Sequence, residues 1–145
     1  MTEIDFYILP NDSLAARDHF ACRLAEKAIR MGKEVLIQVN DQQHGESLSD
    51  YLWSYKPESF LPHLVWGKGK QEGHLSTKVI IDWLEPHERF HDVMINLKHE
   101  IPTTFSRFQK LSEIVVQESE LLPITRSHFQ FYRDRGYPLK AHKVR

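Results

Sequence analysis

Apolar runs and amphipathic stretches alternate along the chain, a pattern that predicts an α/β protein with a mostly parallel sheet. Ile4 to Leu9 reads as a buried strand, and Asn11, Asp12 and Ser13 follow it as helix-capping candidates. The next helix runs to about Met31, with Phe20, Leu24, Ala28 and Met31 on one face and Gly32 placed to end it. Val35 to Val39 is a second strand, and a short helix covers about Glu46 to Trp53. Prolines, glycines and lysines from Lys56 to His74 predict a long surface connection. Val79–Trp83 and Val93–Leu97 read as strands with a polar loop, Glu85 to His91, between them. A short helix over Ile101–Phe108, a last strand at Ile114–Val116 and a final helix from Leu121 to Gly136 complete the elements. One domain over residues 1–139 is expected, with 140–145 as a basic, flexible tail.

Composition narrows the function. A chain of 145 residues with 41% hydrophobic content can bury a core without disulfides or metals. The formal net charge of -1 argues against a broad phosphate-neutralising surface, so any basic patch is local. Cys22 is the single cysteine, which excludes a disulfide framework and cysteine-built zinc sites within the chain. It reads as a small helix residue in a reducing, cytoplasmic protein. The beginning, MTEIDFYILP, has neither the basic lead nor the long apolar stretch of a signal or anchor. No membrane segment is expected.

Three strings invite chemical readings. His87, Glu88, Arg89, Phe90 and His91 spell H-E-x-x-H, which on a helix sets two imidazoles one turn apart beside a general base, as in a zinc metallohydrolase. Here the string follows Pro86 and has no amphipathic helix around it, so a polar loop is the preferred reading and no metal is expected. Gly67, Gly69 and Gly73 with Lys68 and Lys70 hint at a phosphate cradle, and a doubly wound sheet suits a nucleotide-binding enzyme. Neither established glycine spacing is met, and the first strand-to-helix turn, LPNDS, lacks the glycine that lets phosphate approach the backbone. No nucleophile or acid–base arrangement is recognisable, so neither catalysis nor a cofactor is predicted.

Two segments point to binding instead. In the last helix Arg126, Phe129, Gln130 and Arg133 fall at i, i+3, i+4 and i+7, while Leu121, Ile124, His128 and Phe131 form the opposite stripe. One stripe docks the helix. The other combines guanidinium groups, which grip carboxylates, with a flat apolar ring. The bland alternative is a solvated helix face with Phe129 partly covered. In Tyr51 to His63, Trp53 and Phe60 are aromatic anchors of the kind found at interface centres, or they close the edge of the protein's own core.

The chain resembles the chi-subunit family of bacterial DNA polymerase III holoenzyme over nearly its whole length. The resemblance rests on FYIL-x-N-D from Phe6, G-K-x-V-L-I from Gly32 to Ile37, L-W-x-x-x-x-E-S-F-x-P-H from Leu52 to His63, and F-x-x-Y-R-x-x-G-[FY]-x-L from Phe129 to Leu139. It implies a Rossmann-like three-layer α/β fold with a C-terminal helix and no catalytic or nucleotide site of its own. It further implies an accessory subunit of the clamp-loader complex, acting in DNA replication and contacting DNA mainly indirectly. One surface would bind the psi subunit, and Trp53 and Phe60 would belong to it. Another would bind the acidic C-terminal tail of the single-stranded DNA-binding protein, and Arg126, Phe129, Gln130 and Arg133 would form or border that pocket. The chain departs from the family where lysines are common on the last helix: Leu122 and Gln130 stand there, which makes Lys140, Lys143 and Arg145 the candidates for compensation. The stretches Lys68–Thr77 and Glu85–His91 vary in the family.

Overall fold

The computed structural model describes residues 1–54, 63–65, 78–84 and 90–144. Within these residues seven strands form one sheet: β1 (Glu3–Ile8), β2 (Val35–Gln38), β3 (His63–Val65), β4 (Val79–Asp82), β5 (Val93–Asn96), β6 (Lys110–Val115) and β7 (Leu139–Lys143). Their spatial order is β3-β4-β2-β5-β6-β1-β7, and every adjacent pair is parallel. The helices are α1 (Leu14–Arg30), α2 (Gln42–Ser54) and α3 (Leu121–Asp134). The layout is α/β with a parallel sheet, as the apolar pattern predicts, and it is Rossmann-like, as the family resemblance implies.

Alternate residues along each strand feed two apolar layers, because side chains of a strand point to opposite faces. On one face Val35, Ile37, Val79, Ile81, Ile95 and Ile114 pack with Phe20, Ala21 and Ala25 of α1 and Leu48 and Leu52 of α2. On the other face Ile4, Phe6, Leu36, Ile80, Met94 and Leu111 pack with Phe105, Phe108 and Tyr132 of α3. The sheet therefore separates α1 and α2 from α3. Ser13 caps α1 by accepting from the Ala16 amide at 3.2 Å, and Gly32, at φ 76°, supplies the left-handed residue after the helix. Cys22 is buried on α1, and burial, then the charge of Asp18, pushes its thiol up to about 12, which leaves it a packing residue. Among the described residues no helix is long and apolar enough to cross a membrane.

Several elements differ from the sequence expectation. The predicted short helix at 101–108 is a single 3-10 turn, Phe105–Arg107, which brings Phe105 and Phe108 into the core. The strand predicted at Ile114–Val116 begins at Lys110, because Ser112 and Glu113 are buried within it and break its apolar run. The residues expected to form a flexible tail, 140–145, instead contribute Lys140 to Lys143 to edge strand β7, which lies in register beside β1 with Phe6 opposite Ala141 and Ile8 opposite Lys143. The Val144 amide donates to the Ile8 carbonyl at 2.9 Å and extends that ladder.

Candidate binding site

α3 is seated by a polar device. Glu118 accepts from the backbone amides of Glu120 (3.1 Å) and Leu121 (2.8 Å), supplying the helix N-terminus with a carboxylate. These hydrogen bonds hold the Glu118 carboxyl below its ordinary range. One stripe of the helix, Leu121, Thr125, His128 and Tyr132, is buried. It differs from the predicted stripe: Ile124 and Phe131 are half-buried flanks, and Tyr132 is among the largest fully buried side chains.

Glu113, on the face of β6 that meets α3, anchors this stripe. Its Oε2 accepts from the Tyr132 hydroxyl at 2.8 Å and from Asn96 Nδ2 at 3.0 Å, and His128 Nδ1 lies 3.1 Å away. His128 Nε2 is 2.8 Å from the His99 carbonyl oxygen, so each ring nitrogen faces an oxygen, an arrangement that favours the doubly protonated imidazolium. Burial opposes that charge, but the hydrogen bond to Glu113 and its charge outweigh burial and raise the His128 pKa. Burial first, then Glu113, pushes the Tyr132 phenol up, so it stays a donor.

With the helix fixed in rotation, Arg126 and Phe129 come to one side of it, over the β6-β1-β7 end of the sheet. A recess of about 290 Å³ opens there, lined by Phe6, Ile8, Val115, Gln117, Leu122, Thr125, Arg126, Phe129 and Ala141. Phe129 is half-buried and packs edge-on against Phe6, with ring centroids 5.1 Å apart. Arg126 is exposed, and among the described residues it forms no ion pair. The recess thus joins an apolar floor to an unneutralised guanidinium. The other two predicted residues do not line it. Gln130 is exposed and donates to Asp134 at 2.7 Å, and Arg133 is exposed in the following turn.

A larger crevice, about 610 Å³, lies at the C-terminal ends of the strands, where doubly wound sheets bind nucleotides. The N-termini of all three helices reach it, but the chain's own carboxylates serve two of them: Glu118 at α3, and Asp41, which accepts from the His44 amide at 2.8 Å, at α2. Asp12, Asp18 and Glu120 add to the negative lining. Arg17 is buried there, and the cost of burial lowers its pKa against the charges of Asp18, Glu113 and Glu118. A phosphate entering this crevice meets repulsion on most sides, which weighs against a nucleotide-binding enzyme.

The remaining predicted positions are distributed. Trp53, in the last turn of α2, is 49% exposed. Phe60 lies outside the described residues, as do the glycines at 67, 69 and 73 and His87, Glu88 and Arg89 of the H-E-x-x-H string. Phe90 is buried and His91 exposed. Among the described residues no group of three or more histidine, cysteine or carboxylate side chains is placed to hold a metal. The residues that sequence reasoning misses are Glu113 and Asn96, and with them the polar role of His128 and Tyr132. Their one signal is a carboxylate directly before the apolar run Ile114–Val116.

Residues 1–140 match the family described as DNA polymerase III chi subunit, HolC. The DNA polymerase III subunit chi of Pseudomonas aeruginosa is 37% identical over 144 residues, covering 99% of this chain and 98% of the relative. The subunit of the same name from Escherichia coli is 31% identical, with 97% of each chain covered. That of Haemophilus influenzae is 29% identical, over 96% of this chain and 95% of the relative. The chain belongs to the DNA polymerase III chi-subunit family.

Proposed function

We propose that the protein is a non-catalytic accessory subunit of a DNA polymerase III clamp-loader complex, bridging the psi subunit and the acidic C-terminal tail of the single-stranded DNA-binding protein. Membership of the chi-subunit family supports the replication assignment. The observation that carries the tail-binding half is the recess under α3, where an apolar floor of Phe6, Ile8 and Phe129 adjoins the free guanidinium of Arg126. A peptide ending in an aromatic residue with a free carboxylate, preceded by aspartates, needs those two features side by side. Exposed Trp53 supports a second docking surface on α2, of which Phe60 would be part.

Titration calorimetry with a synthetic peptide carrying aspartates before a terminal phenylalanine tests the tail site. Arg126→Glu is expected to weaken binding about tenfold or more at low salt, because it replaces an attraction by a repulsion, and to flatten the salt dependence of what remains. Unchanged affinity and an unchanged salt slope would refute the assignment.

A further inference from the structure

We propose that Lys143, on edge strand β7, is the second cation of the recess, so that an acidic peptide segment is held between α3 and β7 rather than along α3 alone. The proposal rests on the peptide-binding reading of the recess and adds to it the element that completes the grip. Strand alternation puts Leu139, Ala141 and Lys143 on one face of β7 and Lys140 and His142 on the other. The contacts fix which face is which. Leu139 packs in the layer that contains α3 and Ala141 lines the recess, whereas His142 stacks on Tyr7, ring centroids 4.8 Å apart, and pairs with Asp5 at 3.0 Å. Lys143 therefore shares the face of Ala141, and in the ladder it lies opposite Ile8, itself a lining residue. It sits one step along the strand from the recess floor. Lys143 is exposed, and among the described residues it has no ion-pair partner.

The helix side explains why a second cation is needed. Leu122 makes the recess wall apolar, and the Gln130 amide is engaged by Asp134, so α3 brings one cation, Arg126, to the lining. A segment with several carboxylates cannot be matched by one guanidinium. With Lys143 across from it, successive carboxylates meet a cation on each side while the apolar terminus fills the space between.

The aspartate–phenylalanine peptide again serves as probe, titrated against Lys143→Gln, Lys140→Gln and Arg126→Gln. Lys140 is the internal control, because it carries the same charge on the same strand but faces the other side of the sheet. Lys143→Gln is expected to weaken binding about two- to fivefold at low salt and to reduce the salt slope, the range measured for exposed ion pairs. Lys140→Gln is expected to stay within experimental scatter of the parent. If Lys143→Gln matches Lys140→Gln while Arg126→Gln weakens binding, the second cation is refuted and the recess reading stands. If the parent protein does not bind the peptide, or Arg126→Gln leaves binding intact, both fall. Unchanged melting temperatures, expected for exposed side chains, separate binding loss from misfolding.

Discussion

Glu113 sits between Leu111 and Val115 on the face of β6 that α3 covers, a place where an ionised carboxylate is costly unless every lone pair is used. Three side chains use them: Tyr132 and Asn96 donate directly, and His128 brings a compensating positive charge. Such a pair adds little over an apolar substitute, but losing one partner strands a buried charge. His128→Gln is therefore expected to cost about 3 kcal/mol in urea unfolding near pH 6. The pH dependence has a definite sign. Because folding raises the His128 pKa, its stabilisation is fully present below the unfolded value of about 6.5 and is lost as pH rises through the higher folded value. The parent's stability advantage over His128→Gln should thus shrink towards alkaline pH. Parallel pH profiles for the two proteins would show that His128 is not charged in the fold. From sequence alone His128 is legible only as a member of a helix stripe, since its charge depends on a carboxylate 15 residues away and on the His99 carbonyl.

Among the elements, those with strong apolar periodicity were readable and those defined by a neighbour were not. β2, β4 and β5 are short runs led by apolar residues for both faces, β1 alternates Ile4, Phe6 and Ile8 with Glu3, Asp5 and Tyr7, and α1 carries its own cap and terminating glycine, so local chemistry specifies them. β7 has no such signal. Leu139-Lys140-Ala141-His142-Lys143 contains no β-branched residue, its outer edge has no neighbour among the described strands, and its two edge lysines are typical of protected edges. It becomes a strand because β1 offers a parallel ladder, begun by the Ile4 amide to the Pro138 carbonyl at 2.9 Å. The same dependence hides one side of the recess, since Ala141 joins its lining only once β7 is laid down. Removing residues 139–145 separates a paired strand from a loose tail. Loss of a loose tail changes stability by no more than about 0.5 kcal/mol, whereas loss of β7 exposes the β1 backbone and deprives Asp5 and Tyr7 of His142. The truncated protein is expected to lose more than about 1 kcal/mol, or about 2–4 °C in melting temperature per kcal/mol for this size. An unchanged melting curve would contradict the pairing.

At the scale of the molecule, the sheet is a partition. α2, with Trp53 at its end, packs on one face, and α3, with Arg126 over the recess, packs on the other. Two ligands docked on opposite faces do not compete for space, and a bridging subunit requires that independence. The near-neutral charge, -1 overall, fits the same role, because long-range attraction to bare DNA is weak and the basic groups act locally. Trp53→Ala removes a ring that is 49% exposed at the end of α2, so its effect on the fold is read from the melting temperature, while loss of an aromatic anchor typically costs an interface about 2 kcal/mol or more. Co-purification from a host expressing psi and the single-stranded DNA-binding protein is then expected to divide the variants. Trp53→Ala loses psi and keeps the acidic tail, and Arg126→Glu does the reverse. If either substitution releases both partners while the melting temperature holds, the two surfaces are coupled through the sheet and the partition fails as an account of bridging.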